Sequence, residues 1–490
     1  MSSAGKQAGI ENYGAYIPIT RLPLSVISGK APKEGDAEKA VAWSDEDCVT
    51  MAVTAGMNCL RGVDKSRIDS VILATTTLAF SEKQGASIVA KALNLTGDVK
   101  TTDVSGSLRS GMLAIQQGID AVKAGSARKV LVIASDCRMG APKSGIEANV
   151  GDGAVAVVIG SENIIAELTA TASHANEMMD VWRRQGDNFV HTWEDRFIND
   201  HGYIENTVAA IKTLFTKTGK SAKDFSKACI YATDARNLGS VMKGAGLKPD
   251  QLQDAMFGKV GNTGAAFAPM LLVAALEKAK AGDTLLVTCY GDGADAQVFA
   301  VKGEVKDKAD RRAVGFYLHR RRTVDHYNKY LSARDLTITE YPSADDQGIS
   351  ATVQYRNRDE NLSFQGQVCG SCGTHQFPKG RVCVRCGSKD NWTPAKYANN
   401  TGKVLTYTHD AFYPSPEPPT VAAIVEVVLA DGKPGPRIHM QFADAPAKEV
   451  KTNLSVEFAF RRIHRAGRRP NYYWKCLPLQ TSTNNVGGAA

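Results

Sequence analysis

Ten of the 490 residues are cysteines, and four of those are grouped. In VCGSCGTHQFPKGRVCVRCGS, Cys369 and Cys372 form one CxxC pair and Cys383 and Cys386 a second, with ten residues between the pairs. Thiolates on two such knuckles converge on one tetrahedral ion, and zinc is the usual ion for four cysteines in a reducing compartment. Four sulfur ligands fill the coordination sphere, so the pattern implies a structural metal with no position left for water or substrate. Two disulfides are the competing account, and they belong to oxidising compartments. The other six cysteines are scattered. Cys137 follows an apolar run and Cys289 ends one, positions where a small buried thiol is commonplace. Asp152 and Asp292 each sit in Gly-Asp-Gly, where turn duty is the expected role; without GxxxxGK spacing neither makes a phosphate loop. In FVHTWEDRF, His191, Glu194 and Asp195 could line a pocket, but carboxylates flanking Trp193 equally suit a helix cap. The net charge of +8 gathers late, in HRRR at His319–Arg322 and in RRIHRAGRR, which begins with Arg461 and Arg462. Such runs suit an anionic partner, either nucleic acid or a phosphate-bearing coenzyme, against the plain alternative of a solvated basic face.

The elements that must position these groups follow from the bulk pattern. A chain of this length is too long for one core and implies several domains. With 43% apolar and 22% charged residues it reads as globular. Its longest apolar runs, such as Val130–Ala134 and Met270–Leu276, fall far short of the roughly 20 residues that span a bilayer. The N-terminal residues show neither a cationic start with an apolar stretch nor a small-residue cleavage site, so a cytoplasmic location is expected, with no membrane partner.

Two segments read alike. SLRSGMLAIQQGIDAVKAGSARKVLVIASD leads to GDGAVAVVIG, and AAFAPMLLVAALEKAKAGDTLLVTCY leads to GDGADAQVFAV. Each runs at helical spacing to an Ala-Gly stop, Ala124-Gly125 or Ala281-Gly282, then enters a short apolar strand and a second strand after Gly-Asp-Gly. A repeated unit of one helix and two buried strands predicts stacked α/β layers, in halves 1–162 and 163–303. Residues 304–362 read as a linker carrying a short helix in TVDHYNKYLSARDL, 363–392 as the zinc ribbon, 393–480 as a small barrel and 481–490 as a tail. From Thr401, GKVLTYTHDAF, TVAAIVEVVL, RIHMQFAD and LSVEFAFRRI have strand composition with turn residues between, the pattern of an OB-type barrel. Such barrels often take nucleic acid, but Tyr407, Phe412, Phe458 and Phe460 sit among apolar neighbours and are expected in the core rather than as stacking platforms. No nucleic-acid partner is expected.

The stretches ENYGAYIPITRL, WSDEDCVTMAVTAG, DVSGSLRSG, SDCRMG, DVWRRQGD, VGNTGAAFAP and CYGDGA resemble the hydroxymethylglutaryl-CoA synthase branch of the thiolase superfamily, over residues 8 to 303. The remainder resembles the OB-fold proteins with a rubredoxin-like zinc ribbon that accompany thiolase-like enzymes. The resemblance implies a thiolase-like, five-layered, duplicated α/β/α fold followed by a zinc ribbon and an OB-type barrel, a coenzyme A thioester substrate, a homodimer, and a thiolase or dehydrogenase partner. It also places residues. The family's acyl-accepting cysteine falls on Leu108, its active-site histidine on Tyr231 with Arg236 retained, its acid/base glutamate on Thr76, and its asparagine on Asn262. Cys289 matches the thiolase cysteine that moves a proton at the substrate α-carbon. Arg461 and Arg462 fall where coenzyme phosphates could be met.

A leucine cannot carry an acyl group. An aldol or retro-aldol step at a β-hydroxyacyl thioester needs none; it needs an acid/base and a donor for the enolate oxygen. Tyr231, Asn262 and Cys289 are the candidates, and the pattern resembles thiolase-like aldolases that lack the cysteine, rely on tyrosine and require a ribbon-plus-OB partner. Two other readings stand beside this one. In the first, Claisen or thiolysis chemistry is retained with Cys289 or Cys137 as nucleophile; in the second, the chain is a non-catalytic scaffold that channels acyl-CoA.

Overall fold

A computed structural model describes residues 7–305, 311–337, 350–413, 415–466 and 469–480. The expected tail, 481–490, lies outside them. The duplicated unit forms one nine-stranded sheet, ordered Lys227–Ile230, Thr284–Tyr290, Gly293–Val301, Ala166–Ala175, Gly9–Tyr16, Gly153–Gly160, Lys129–Asp136, Ile68–Ala74 and Lys100–Val104. The pairing repeats as the sequence does. Lys129–Asp136 runs antiparallel to Gly153–Gly160 and parallel to Ile68–Ala74. Thr284–Tyr290 likewise runs antiparallel to Gly293–Val301 and parallel to Lys227–Ile230. The two halves join where Gly9 and Ile10 pair with Glu167 and Ala166.

The repeated helices, Ser110–Lys123 and Phe267–Leu276, pack on one another as the central layer. All ten residues of the second are buried, which explains its lack of a polar face. A side chain at Gly111 would strike the carbonyl oxygen of Ala265 at 2.1 Å, so glycine is what lets the two helix starts meet. Outer helices Cys48–Cys59 and Glu205–Thr218 cover the far faces of the two half-sheets. This gives the five layers the repeat implies.

The connection expected as a linker is more ordered than its charge suggests. It forms helices Val314–Leu318, Tyr327–Ala333 and Ala351–Ser363, and Arg322–Thr323 pairs in parallel with Thr20–Arg21. The barrel has strands Thr401–Asp410, Thr420–Val428, Pro434–Gln441, Ser455–Ala466 and Arg469–Pro478. Its sheet nearly closes on itself where Phe442 bridges Cys476 and the Ala443 amide donates to the Cys476 carbonyl at 2.8 Å. Phe458 and Phe460 are in its core, but Tyr407 and Phe412 are exposed, Phe412 at 97%, because their strand end and hairpin project past the packed wall. No described helix is long and apolar enough to cross a membrane.

The barrel docks on the carboxylates of WSDED. Arg461, 1% exposed, hydrogen-bonds Asp444 at 2.9 Å and the Tyr16 hydroxyl at 3.2 Å, and lies 3.5 Å from Glu46. The Tyr16 hydroxyl donates in turn to Glu46. Burial pushes the Glu46 carboxyl up to about 7, against the pull of the Arg461 guanidinium. Lys475 pairs with Asp45 at 2.9 Å, and the Tyr472 hydroxyl donates to Asp47 at 2.8 Å. Arg461→Met leaves Glu46 and Asp444 buried without their cation, which costs about 3–5 kcal/mol and lowers the urea midpoint. Arg462→Ala gives up a bond to the Ser44 carbonyl and costs about 1–2 kcal/mol.

Candidate active site

The site gathers where both half-sheets end beside the central helices. Asp136, fully buried at the end of its strand, accepts five hydrogen bonds of 2.7–2.9 Å: from the hydroxyls of Thr75, Thr76 and Thr77, the Thr76 amide and the Ala265 amide. It thus ties the Thr75–Thr77 loop of the first half to the Asn262–Ala266 turn of the second. Asn262 is anchored by its amide on the Asn149 carbonyl at 2.7 Å. Its Oδ1 accepts from Gly264, and its Nδ2 donates to the Ala232 carbonyl at 2.9 Å and to the Tyr231 hydroxyl at 3.1 Å.

Tyr231 follows the strand Lys227–Ile230 and is 3% exposed. Its ring sits edge-on to Phe267 at 5.5 Å, 6.1 Å from Tyr290, and its carbonyl accepts from Tyr203 at 2.5 Å. Burial raises its phenol above the ordinary value, against the pull of the Arg138 guanidinium. Both side-chain hydrogens of Asn262 are committed, so this amide orients Tyr231 and has none left for a thioester oxygen. The Tyr231 phenol, held from behind by Asn262, is the group that faces the cavity.

That cavity, of about 280 Å³, is lined by Thr76, Ser105–Leu108, Arg138, Asp180–Arg183, Val190, Tyr231, Thr233 and Tyr290–Asp292. No cysteine lines it among the described residues. Leu108 sits at the mouth just before helix Ser110–Lys123. Gly291, at φ +153°, lies so close that a side chain there would meet the Ser107 hydroxyl at 2.7 Å. Cys289 faces the other way: its Sγ lies 3.5 Å from Asp295, and burial pushes the thiol well above its usual range. Cys137 is also off the cavity, pushed up to about 12 by burial. Tyr290, the neighbour of Cys289, is the one that points in, donating to Asp180 at 2.5 Å; burial and that carboxylate raise its phenol. Arg183 donates to the Thr76 carbonyl. Arg236 is exposed on helix Ala235–Gly244, and Arg461 and Arg462 belong to the barrel interface, held by the chain's own acceptors rather than presented to a ligand.

Residues 215–302 match the family of 3-oxoacyl-[acyl-carrier-protein] synthase III C-terminal regions, and residues 364–391 match the ChsH2 rubredoxin-like zinc ribbon. A hydroxymethylglutaryl-CoA synthase of Methanocaldococcus jannaschii is 30% identical over 335 residues, which cover 65% of this chain and 96% of that protein. One from Caldivirga maquilingensis is 32% identical over 349 residues, covering 67% and 97%. The chain belongs to the hydroxymethylglutaryl-CoA synthase family. The fold agrees: an MvaS protein in complex with 3-hydroxy-3-methylglutaryl coenzyme A superposes with a TM-score of 0.60 at 19% identity, covering 70% of this chain and 95% of that one. Beyond the part that matches the synthases, this chain continues into a zinc ribbon and a small barrel.

The ribbon strands Gln365–Cys369, His375–Gln376 and Trp392–Lys396 pack on the barrel through Phe364, which stacks on Trp474 at 5.5 Å. The Sγ atoms of Cys369, Cys372, Cys383 and Cys386 lie within 4.8 Å of one another, with Cys369–Cys386 and Cys372–Cys383 at 3.6 Å. A tetrahedron of zinc–sulfur bonds of about 2.3 Å has edges near ~3.8 Å, so the set fits a structural zinc ion. The purified protein is expected to carry about one zinc per chain by atomic emission. Replacing Cys372 and Cys386 by Ser together removes it and lowers the thermal midpoint.

Proposed function

We propose that the protein acts on a coenzyme A thioester and makes or breaks a carbon–carbon bond β to the thioester carbonyl by an aldol-type step, without an acyl-enzyme. The observation that carries this reading is the cavity itself: a phenol oriented by the Asn262 amide, with Leu108 in the lining and no cysteine among its described lining residues. In the addition direction, the thioester α-carbon loses a proton, its electron pair attacks the carbonyl of the acceptor, and Tyr231 gives its proton to the new alkoxide. In the cleavage direction, Tyr231 first loses its proton to solvent; the resulting phenolate takes the β-hydroxyl proton, and the carbon–carbon bond pair moves onto the thioester as an enolate, which is then protonated at the α-carbon. Because burial keeps the Tyr231 phenol neutral at rest, it begins as an acid and is ready for addition. Asn262 acts as a positioning residue. The Tyr290–Asp180 pair supplies a second phenol and a carboxylate in the same cavity, and supports proton movement at the α-carbon better than Cys289, which faces away.

The reading of Claisen chemistry on Cys289 or Cys137 has less support, since both thiols are buried off the cavity with raised values. A homodimer fits the sheet: one of its two outermost strands, Lys100–Val104, has no strand on its far side among the described residues and leads to Ser105–Leu108 of the cavity lining.

Three measurements test the proposal. Mass spectrometry after incubation with acetyl-CoA shows no added acyl mass; an adduct on any cysteine restores the acyl-enzyme reading. Tyr231→Phe lowers kcat for cleavage of a β-hydroxyacyl-CoA by roughly 10²–10⁴-fold, and retained turnover removes the phenol from the mechanism. A group with a raised value is protonated over more of the pH scale, so the cleavage rate rises about tenfold per unit of pH and has not levelled by pH 9; a plateau below pH 8 assigns the step to another group.

A further inference from the structure

A second cavity, of about 590 Å³, lies where the first half, the helix Ala351–Ser363 and the barrel meet. It shares no lining residue with the cavity beside Tyr231. Gln354, Tyr355, Arg358, Asn361 and Leu362 recur at helical spacing and line it as one face of that helix. The helix spends its acids elsewhere: Asp359 pairs with Lys91 at 2.6 Å and with Lys379 at 3.2 Å, and Glu360 accepts the Lys379 amide. At the helix end the Ser363 hydroxyl donates to the Lys91 carbonyl at 3.0 Å, and the Leu362 carbonyl accepts from the Trp474 indole at 3.1 Å. These bonds pin the helix to the neighbouring helix Gly85–Ala92 and to the barrel, so the cavity is preformed, as ligand sites between domains usually are.

Its lining is apolar in body and cationic in charge. Phe80 and Ile88 of the first half face Met440, Ile463 and Tyr473 of the barrel, while Lys83, Arg358 and Arg469 bring positive charge, and no carboxylate is among the described lining residues. Lys83 and Arg358 make no ion pair with any described residue. The Arg358 guanidinium stacks 3.9 Å from the centre of the Tyr355 ring and donates to the Tyr355 carbonyl at 2.9 Å. That holds it in place and leaves its remaining N–H groups for an oxyanion. Positive charge with no acid to balance it favours an anion over a neutral or cationic guest. The volume falls within the roughly 300–1,000 Å³ that suits one small organic molecule.

We infer that this cavity is a second binding site, separate from the candidate active site, for a free carboxylic acid with an apolar body of medium chain length. Its carboxylate lies on Arg358 and Lys83, and its chain lies against Phe80, Ile88 and Met440. The site does not depend on the aldol reading.

Calorimetry on the full-length, zinc-loaded chain tests this with decanoate, decanol and decyltrimethylammonium, which share one apolar chain and differ in the head group. Decanoate is expected to bind about tenfold tighter than either of the others, or better. Combining Lys83→Gln with Arg358→Gln is expected to bring decanoate down to the level of decanol. Gln354→Trp, which fills the cavity from the helix face, is expected to abolish binding of both, with the thermal midpoint showing that each variant is folded. Equal affinity for the three compounds, a preference that survives the double variant, undiminished binding to Gln354→Trp, or no binding of decanoate overturns the inference. Displacement of decanoate by coenzyme A also overturns it, because the cavity then belongs to the coenzyme of the thioester.

Discussion

Asp136 is a buried carboxyl group that accepts five hydrogen bonds and has no ion-pair partner among the described residues. Burying a carboxylate this deeply is tolerable only when hydrogen bonds replace its water. Those donors come from both repeats, three threonines of the first and one backbone amide of the second. The carboxylate therefore ties the Thr76 loop to the Asn262 turn, and several of the groups that face the cavity are held from one or the other. Asn262 reaches Tyr231, Gly264 packs on the Arg138 stem, and Thr76 receives Arg183. Duplication brings two similar strand ends together; one shared acceptor makes them a single site.

Leu108 sits beside the helix Ser110–Lys123 in a fully assembled scaffold. The helix start still closes on the second repeat through Gly111 and Gly291, and the amide-bearing turn is still held. Two phenols, two arginines and two carboxylates share the cavity lining, and no cysteine is among its described residues.

The architecture was legible because its signals are periodic or spaced. The repeat, with Ala124-Gly125 and Ala281-Gly282 as stops, reappears in matching strand pairings, and the two CxxC pairs bring four sulfurs together. The side chains of the candidate site were less legible, for reasons of geometry. Cys289 and Tyr290 are neighbours on one strand, and a period of two sends them to opposite faces; sequence spacing does not say which face is the cavity. Tyr231 and Asn262 were found through resemblance and do meet, but only the hydrogen bonds show that the amide serves the phenol. Arg138 and Asp180 lay inside motifs that had been noticed for other residues. Arg461 and Arg462 were read as surface cations because their partners, Asp45, Glu46 and Ser44, lie at the opposite end of the chain.

That last separation bears on how the protein is made. Asp45, Glu46 and Asp47 stand at the start of the helix Cys48–Cys59, and Asp47 caps it through the Val49 and Thr50 amides. They leave the ribosome long before Arg461, Tyr472 and Lys475 are synthesised. Until the last barrel strands emerge, the nascent chain carries three adjacent acids whose cationic partners, Arg461 and Lys475, have yet to be synthesised. Translation order thus makes the barrel the final clasp on a unit whose sheet and central helices are already complete in the polypeptide.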